Sequence, residues 1–82
     1  MSDDEFNVLD ELYFVQSFDE LIALSSYAEA PLLEVLKSLQ KQDWIKILKD
    51  VDDEWPEANL TDDQIRSSFF LATKKGLLAH NS

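Results

Sequence analysis

The sequence predicts a mainly helical α+β domain: a three-helix core, a small two-stranded antiparallel hairpin and a short C-terminal helix. Apolar residues recur at three- and four-residue steps through residues 4–15 and 32–39, the spacing of one helix face. Two short runs, WIKILK (44–49) and SFFLAT (68–73), alternate and are rich in β-branched or aromatic residues. A polar, acidic stretch separates them, as a loop between paired strands would. With 82 residues, 45% of them hydrophobic, the chain is expected to fold as one thin-cored domain rather than remain disordered.

The elements follow in order. Residues 1–3 are expected to fray. Helix formation is expected from Asp4 to about Val15, with Phe6, Leu9, Leu12 and Tyr13 on one face and Val8, Phe14 and Val15 widening it. Its early acids suit the positive end of the helix dipole. Ser17-Phe18-Asp19-Glu20 has the form of a capping box, in which the serine hydroxyl and the glutamate carboxylate each accept from the other's backbone N–H. A second helix then runs to about Ser25, burying Leu21 and Leu24, with Ile22 nearby. Ser25-Ser26-Tyr27-Ala28 breaks the period. Pro31 is favoured in a first helical turn, so a third helix starts near Glu29 to Pro31. Its buried stripe is expected to be Leu32, Val35, Leu36 and Leu39, and it ends near Lys41 or Gln42 without a glycine cap.

In the strand 44–49, Ile45 and Ile47 share one face and Trp44, Lys46 and Leu48 the other. Residues 50–66 form a long acidic loop, within which Thr61 to Gln64 can cap one short helical turn. In the second strand Phe70 and Ala72 oppose Phe69 and Leu71. Thr73 can cap a last helix, Lys74 to about His80, anchored by Leu77 and Leu78, with Gly76 as its weak point. The tail has a competing reading. Thr61 to His80 contains no proline and could be one helix with Ile65, Phe69, Ala72 and Gly76 on a single face.

Charge narrows the partners. Seventeen acids against seven bases give a formal net charge of −10, so a polyanion is repelled on average. Residues 1–20 and 50–63 each hold seven acids and no Lys or Arg. Between them residues 37–49 carry Lys37, Lys41, Lys46 and Lys49 against Asp43 alone, which makes one basic island. There is no cysteine, which excludes disulfides, thiolate metal sites and a cysteine nucleophile. The opening MSDDEF has no basic segment ahead of an apolar run, and no apolar stretch approaches the ~20 residues of a membrane helix. A soluble, cytoplasmic protein with no membrane partner is expected.

Little in the chain points to catalysis. His80 is the one histidine and reads as a solvent-exposed tail residue. The single glycine excludes phosphate-cradling loops. Asp50-Val51-Asp52-Asp53-Glu54 begins like a calcium loop, but Trp55 stands where such a loop needs glycine and Thr61 where it needs glutamate. No enzyme activity, cofactor or metal site is expected.

The order helix, helix, turn, helix, strand, acidic loop, strand, short helix resembles the winged helix-turn-helix family, in particular the small bacterial MarR-like and PadR-like regulators, over residues 5–80. Phe18-Asp19-Glu20-Leu21-Ile22 stands where the family begins its second helix. Leu32, Val35, Leu36 and Leu39 match core positions of its third. Asp43-Trp44-Ile45 stands where the family often has a glycine and two apolar residues. Phe70 to Gly76 is similar to its second wing strand and following turn, with Ala72 in place of the usual leucine. The resemblance implies that the third helix reads DNA, through Glu29, Ala30, Leu33, Glu34 and Lys37 by position. Those residues depart from a DNA reader, which uses Arg, Lys, Asn, Gln, Ser or Thr to donate to bases and phosphates.

The expected function is therefore a non-enzymatic interaction module of winged-helix type in a regulatory setting, contacting a protein partner or a second copy. Its candidate interface is an outward patch of Trp44, Leu48, Phe69 and Leu71, with Trp55 folded over it or joining it. Helix 1, the acidic loop or the last helix could instead cover that patch. One alternative is a DNA-binding regulator using helix 3 with Lys37, Lys41, Lys46 and Lys49. Another is an acidic mimic of nucleic acid occupying a basic partner.

Overall fold

The computed structural model describes residues 1–57 and 59–81; within the acidic loop Ala58 lies outside the described residues, as does Ser82. The elements are α1 (Asp3–Asp10), a 3-10 turn (Glu11–Tyr13), β1 (Gln16–Ser17), α2 (Phe18–Ser25), α3 (Glu29–Lys41), β2 (Ile45–Asp50), β3 (Asp53–Glu54), α4 (Asp62–Arg66), β4 (Phe69–Ala72) and α5 (Lys74–His80). The four strands form one antiparallel sheet in the order β1-β4-β2-β3. Among the described residues the protein is thus a small α+β domain of five α-helices and one antiparallel sheet. The single-helix reading of residues 61–80 is incorrect, because β4 pairs on both sides and interrupts it.

Local signals set most boundaries. Ser17 and Glu20 close the expected capping box on α2, and Thr61 and Gln64 close one on α4. A third box was not expected: Ser2 caps α1 with Glu5, so the helix starts at Asp3 and Ser2 is held rather than frayed. At its other end α1 stops at Asp10, short of Val15. Leu12 leaves helical geometry (φ −104°, ψ 20°) and Phe14 is fully extended, which swings the chain into β1.

The core gathers one face from every layer: Val8, Leu9 and Leu12; Phe18 and Leu21; Leu32, Leu33, Leu36 and Leu39; Ile45 and Ile47; Ile65; Phe70 and Ala72. Several helix faces are rotated from expectation. On α3, Leu33 is buried and Val35 only half-buried, so the residue placed among DNA contacts belongs to the core. On α2, Leu24 is 51% exposed. On α1 Phe6 turns outwards while Glu5 turns in, and in the 3-10 turn Tyr13 also turns outwards.

α3 ends without glycine, as expected, but the position calls for one. Asp43 has φ +62°; its N–H donates to the Gln40 carbonyl and the Trp44 N–H to that of Leu39, a Schellman closure with aspartate in the left-handed place. L-residues are strained there and glycine is not. Asp43→Gly is expected to raise stability by about 0.5–1 kcal/mol, the relief of that strain less the greater chain entropy of glycine. A lowered urea midpoint would contradict it.

Candidate interaction surfaces

The register bears out the facing of the sheet residues. Leu48 pairs with Phe69 and Lys46 with Leu71, on the side opposite to the buried Ile47–Phe70 and Ile45–Ala72 pairs. Their exposure differs from expectation. Leu48 is buried at 7%, and Trp44, Phe69 and Leu71 are half-buried. Trp55 packs against the core and donates from Nε1 to Ser68 Oγ at 2.8 Å, while Ser68 Oγ donates to the Gln64 carbonyl. Ser68 has the strand parity of Phe70 and Ala72, so Trp55 closes the core side rather than the outer face. Trp44 is held through its backbone: Thr73 N–H donates to its carbonyl at 2.9 Å, and α5 lies against it at Gly76. Trp44, like Trp55, packs against the core, so of the five residues the half-buried Phe69 and Leu71 are the ones that leave part of an outer apolar surface.

The lysines do not form one cationic surface. Lys37 Nζ lies 2.7 Å from Asp62 and 3.8 Å from Glu34. The Asp62 hydrogen bond raises the Lys37 pKa and lowers that of Asp62. Both side chains are largely exposed, so the pair contributes little to stability. Its meaning is positional: α4 lies along α3, with Ile65 buried beneath it and Arg66 reaching Glu29 at 3.5 Å and Asp63 at 2.9 Å. Lys49 Nζ sits 5.8 Å from the Trp55 ring centroid, within cation–π range. Lys46 is exposed on the outer sheet face. Lys41 lines an open groove of about 520 Å³ with Lys37, Gln40, Asn59, Leu60 and Ile65. Its charged lining is two lysines, one already neutralised, which makes a poor anion cradle.

The exposed large apolar side chains include Phe14 at 77% and Phe6 and Tyr13 at 44% and 40%. The last two flank His80. The expectation of a solvent-exposed tail histidine is incorrect: its side chain is 7% exposed. Its ring stacks on Phe6 with centroids 4.1 Å apart and meets Tyr13 edge-on at 5.4 Å. Nδ1 and Tyr13 Oη share a 2.8 Å hydrogen bond. Nε2 makes no hydrogen bond among the described residues and lies 3.4 Å from the Asp10 carboxylate. On α5 it is therefore Gly76 and His80, with half-buried Leu77, that dock the helix, whereas Leu78 is 62% exposed. The sequence offered no sign of this cluster, since Tyr13 and His80 lie 67 residues apart.

Among the described residues no helix is long and apolar enough to cross a membrane. Compared with protein-family models, with characterised proteins and with solved structures, the chain matches none.

Proposed function

We propose that the chain is a non-enzymatic protein-interaction module of winged-helix type, working through the ring surface of α1 and the turn that follows it. The observation that carries this reading is the exposure of Phe6, Tyr13 and Phe14 within one short segment: Phe6 and Tyr13 hold His80 on one side and still leave 44% and 40% of their surface free, and grouped exposed apolar side chains on a small domain mark contact surfaces. Half-exposed Phe69 and Leu71 are the remaining sheet-side contribution. The winged-helix part rests on α2 and α3 joined by the short 26–28 connection, followed by the antiparallel pair β2 and β4.

Reading DNA through α3 is the weaker alternative. Lys37 and Arg66 are engaged by Asp62, Asp63, Glu29 and Glu34, and α4 brings two of those acids to the helix that would face phosphates. A second copy as partner would use the outer sheet face and α1, and mimicry of nucleic acid the acids of residues 1–20 and 50–63.

The test places a photoreactive phenylalanine analogue at position 14 and, separately, at Val51, an exposed apolar residue (52%) in the acidic segment. In an extract of the source cell, position 14 is expected to cross-link a discrete protein species and position 51 is not. Equal labelling from both sites, or saturable low-salt binding of mixed-sequence duplex with amide shifts centred on residues 29–41, would overturn the reading.

A further inference from the structure

We infer that the occupant of the ring surface is a basic protein segment that also bears apolar side chains. This rests on the surface proposed above and adds the chemistry of its partner. Acids accompany the rings along the chain. Residues 1–20 hold seven carboxylates (Asp3, Asp4, Glu5, Asp10, Glu11, Asp19, Glu20) and no Lys or Arg, and of these Glu5 is buried and bonded to Ser2, Ser38 and Gln42. Asp10 is part of the ring cluster itself through its approach to His80, and Glu11 begins the turn that ends in Tyr13. Among the described residues neither Asp10 nor Glu11 is paired with a lysine or arginine.

The placement of these two acids is a second, separate sign. They sit at the C-terminal end of α1, whose last turn has no basic residue. The carbonyl end of a helix already carries partial negative charge, so carboxylates there weaken the helix and cations strengthen it. The local sequence thus works against its own helix, a conflict typical of sites kept for binding. A bound lysine or arginine removes the conflict, and the neighbouring rings suit both its aliphatic stem and its charge.

Other occupants fit less well. A second copy packed through the same face would bring two unpaired acidic surfaces together. Nucleic acid and anionic lipid are repelled for the same reason. A basic segment with apolar side chains places its cations against Asp10 and Glu11 and its apolar groups on Phe14, which has the most free surface.

The experiment follows amide shifts of the full chain, isotope-labelled, during titration at low salt with three synthetic peptides: lysine–leucine, lysine alone and glutamate–leucine. The lysine–leucine peptide is expected to shift Phe6, Asp10, Glu11, Tyr13 and Phe14 saturably. Glu11→Lys and Phe14→Ser should each weaken it about ten-fold, as loss of one central contact does. Both positions are at least partly solvent-exposed, and unchanged circular dichroism verifies that each variant folds. Equal binding by lysine alone overturns the apolar half of the inference. Equal binding by glutamate–leucine at this face overturns the basic half and leaves the face itself standing as a protein-binding surface. Shifts centred on residues 50–57, no response to any peptide, or a doubled solution mass with the same residues shifted in the protein alone each overturn it entirely.

Discussion

Gly76→Ala is expected to destabilise the protein by about 2–4 kcal/mol, although helix propensity alone predicts a gain of about 1 kcal/mol for the same change. The two arguments have opposite signs, so the measurement decides between them. Gly76 lies inside α5 with ordinary helical φ, and its backbone conformation does not require glycine. What requires it is space. A Cβ there would stand 2.1 Å from the Trp44 carbonyl oxygen and 2.9 Å from its carbon. Both are backbone atoms and cannot rotate away. The Trp44 N–H is bonded to Leu39 and its carbonyl accepts from Thr73, so β2 cannot yield cheaply. α5 would have to lift, straining the Thr73 bond and pulling His80 from Phe6 and Tyr13. For a domain this size the loss corresponds to a melting temperature lower by on the order of 15 °C. A variant as stable as the parent would mean that α5 does not approach Trp44 this closely.

The same residue marks the limit of what could be read from sequence. Gly76 looked like a weak point because helix propensity is local, whereas its role is set by a chain segment more than thirty residues away. Signals confined to three or four residues were legible: the Ser17–Glu20 and Thr61–Gln64 boxes, Pro31 opening α3, and the alternation of Ile45 and Ile47 against Phe70 and Ala72. β1 is two residues long and offers no period to detect, and β3 is Asp53-Glu54, a pair with poor strand propensity. β3 pairs antiparallel with β2 across a register shift, and its charge leaves an edge that resists further pairing. The rotation of α1 was hidden for a different reason. Apolar spacing favoured an inward Phe6, but a glutamate with three donors around it competes for that place, and only the fold supplies the donors. The proposed surface was legible in part: helix 1 and the acid-rich N-terminal third were visible, while the ring cluster depended on where His80 lands.

The other large effect belongs to that glutamate. Glu5 is 9% exposed, a charged group that is costly to bury unless its oxygens are satisfied. One oxygen accepts from the Ser2 N–H at 2.8 Å; the other accepts from Ser38 Oγ at 2.9 Å and from Gln42 Nε2. The N-cap of α1 is thereby tied to the last turns of α3. Glu5→Ala removes the reciprocal half of the cap and leaves the Ser38 hydroxyl without its acceptor, while Gln42 Nε2 keeps only the longer bonds to the Ser38 carbonyl and Oγ, an expected loss of about 2–4 kcal/mol. The Ser2 backbone bond, with those of Ser38 and Gln42, outweighs burial and holds the Glu5 pKa below the usual glutamate value. The sign of the pH dependence follows from that direction. The folded form binds the proton less readily than the unfolded chain, so this contribution is fully present above the ordinary glutamate titration near pH ~4.3 and is lost as the pH falls through the lower folded value. Glu5→Gln keeps the shape but cannot be ionised, and its amide N–H groups meet other donors. It should cost less than Glu5→Ala at neutral pH, by about 1–2 kcal/mol, and it should flatten the acid limb of the stability curve. Urea titrations of the parent and both variants across the acid range measure this directly. An acid limb in Glu5→Gln as steep as in the parent would assign the pH dependence to the exposed carboxylates and reduce the α1–α3 tie to packing alone.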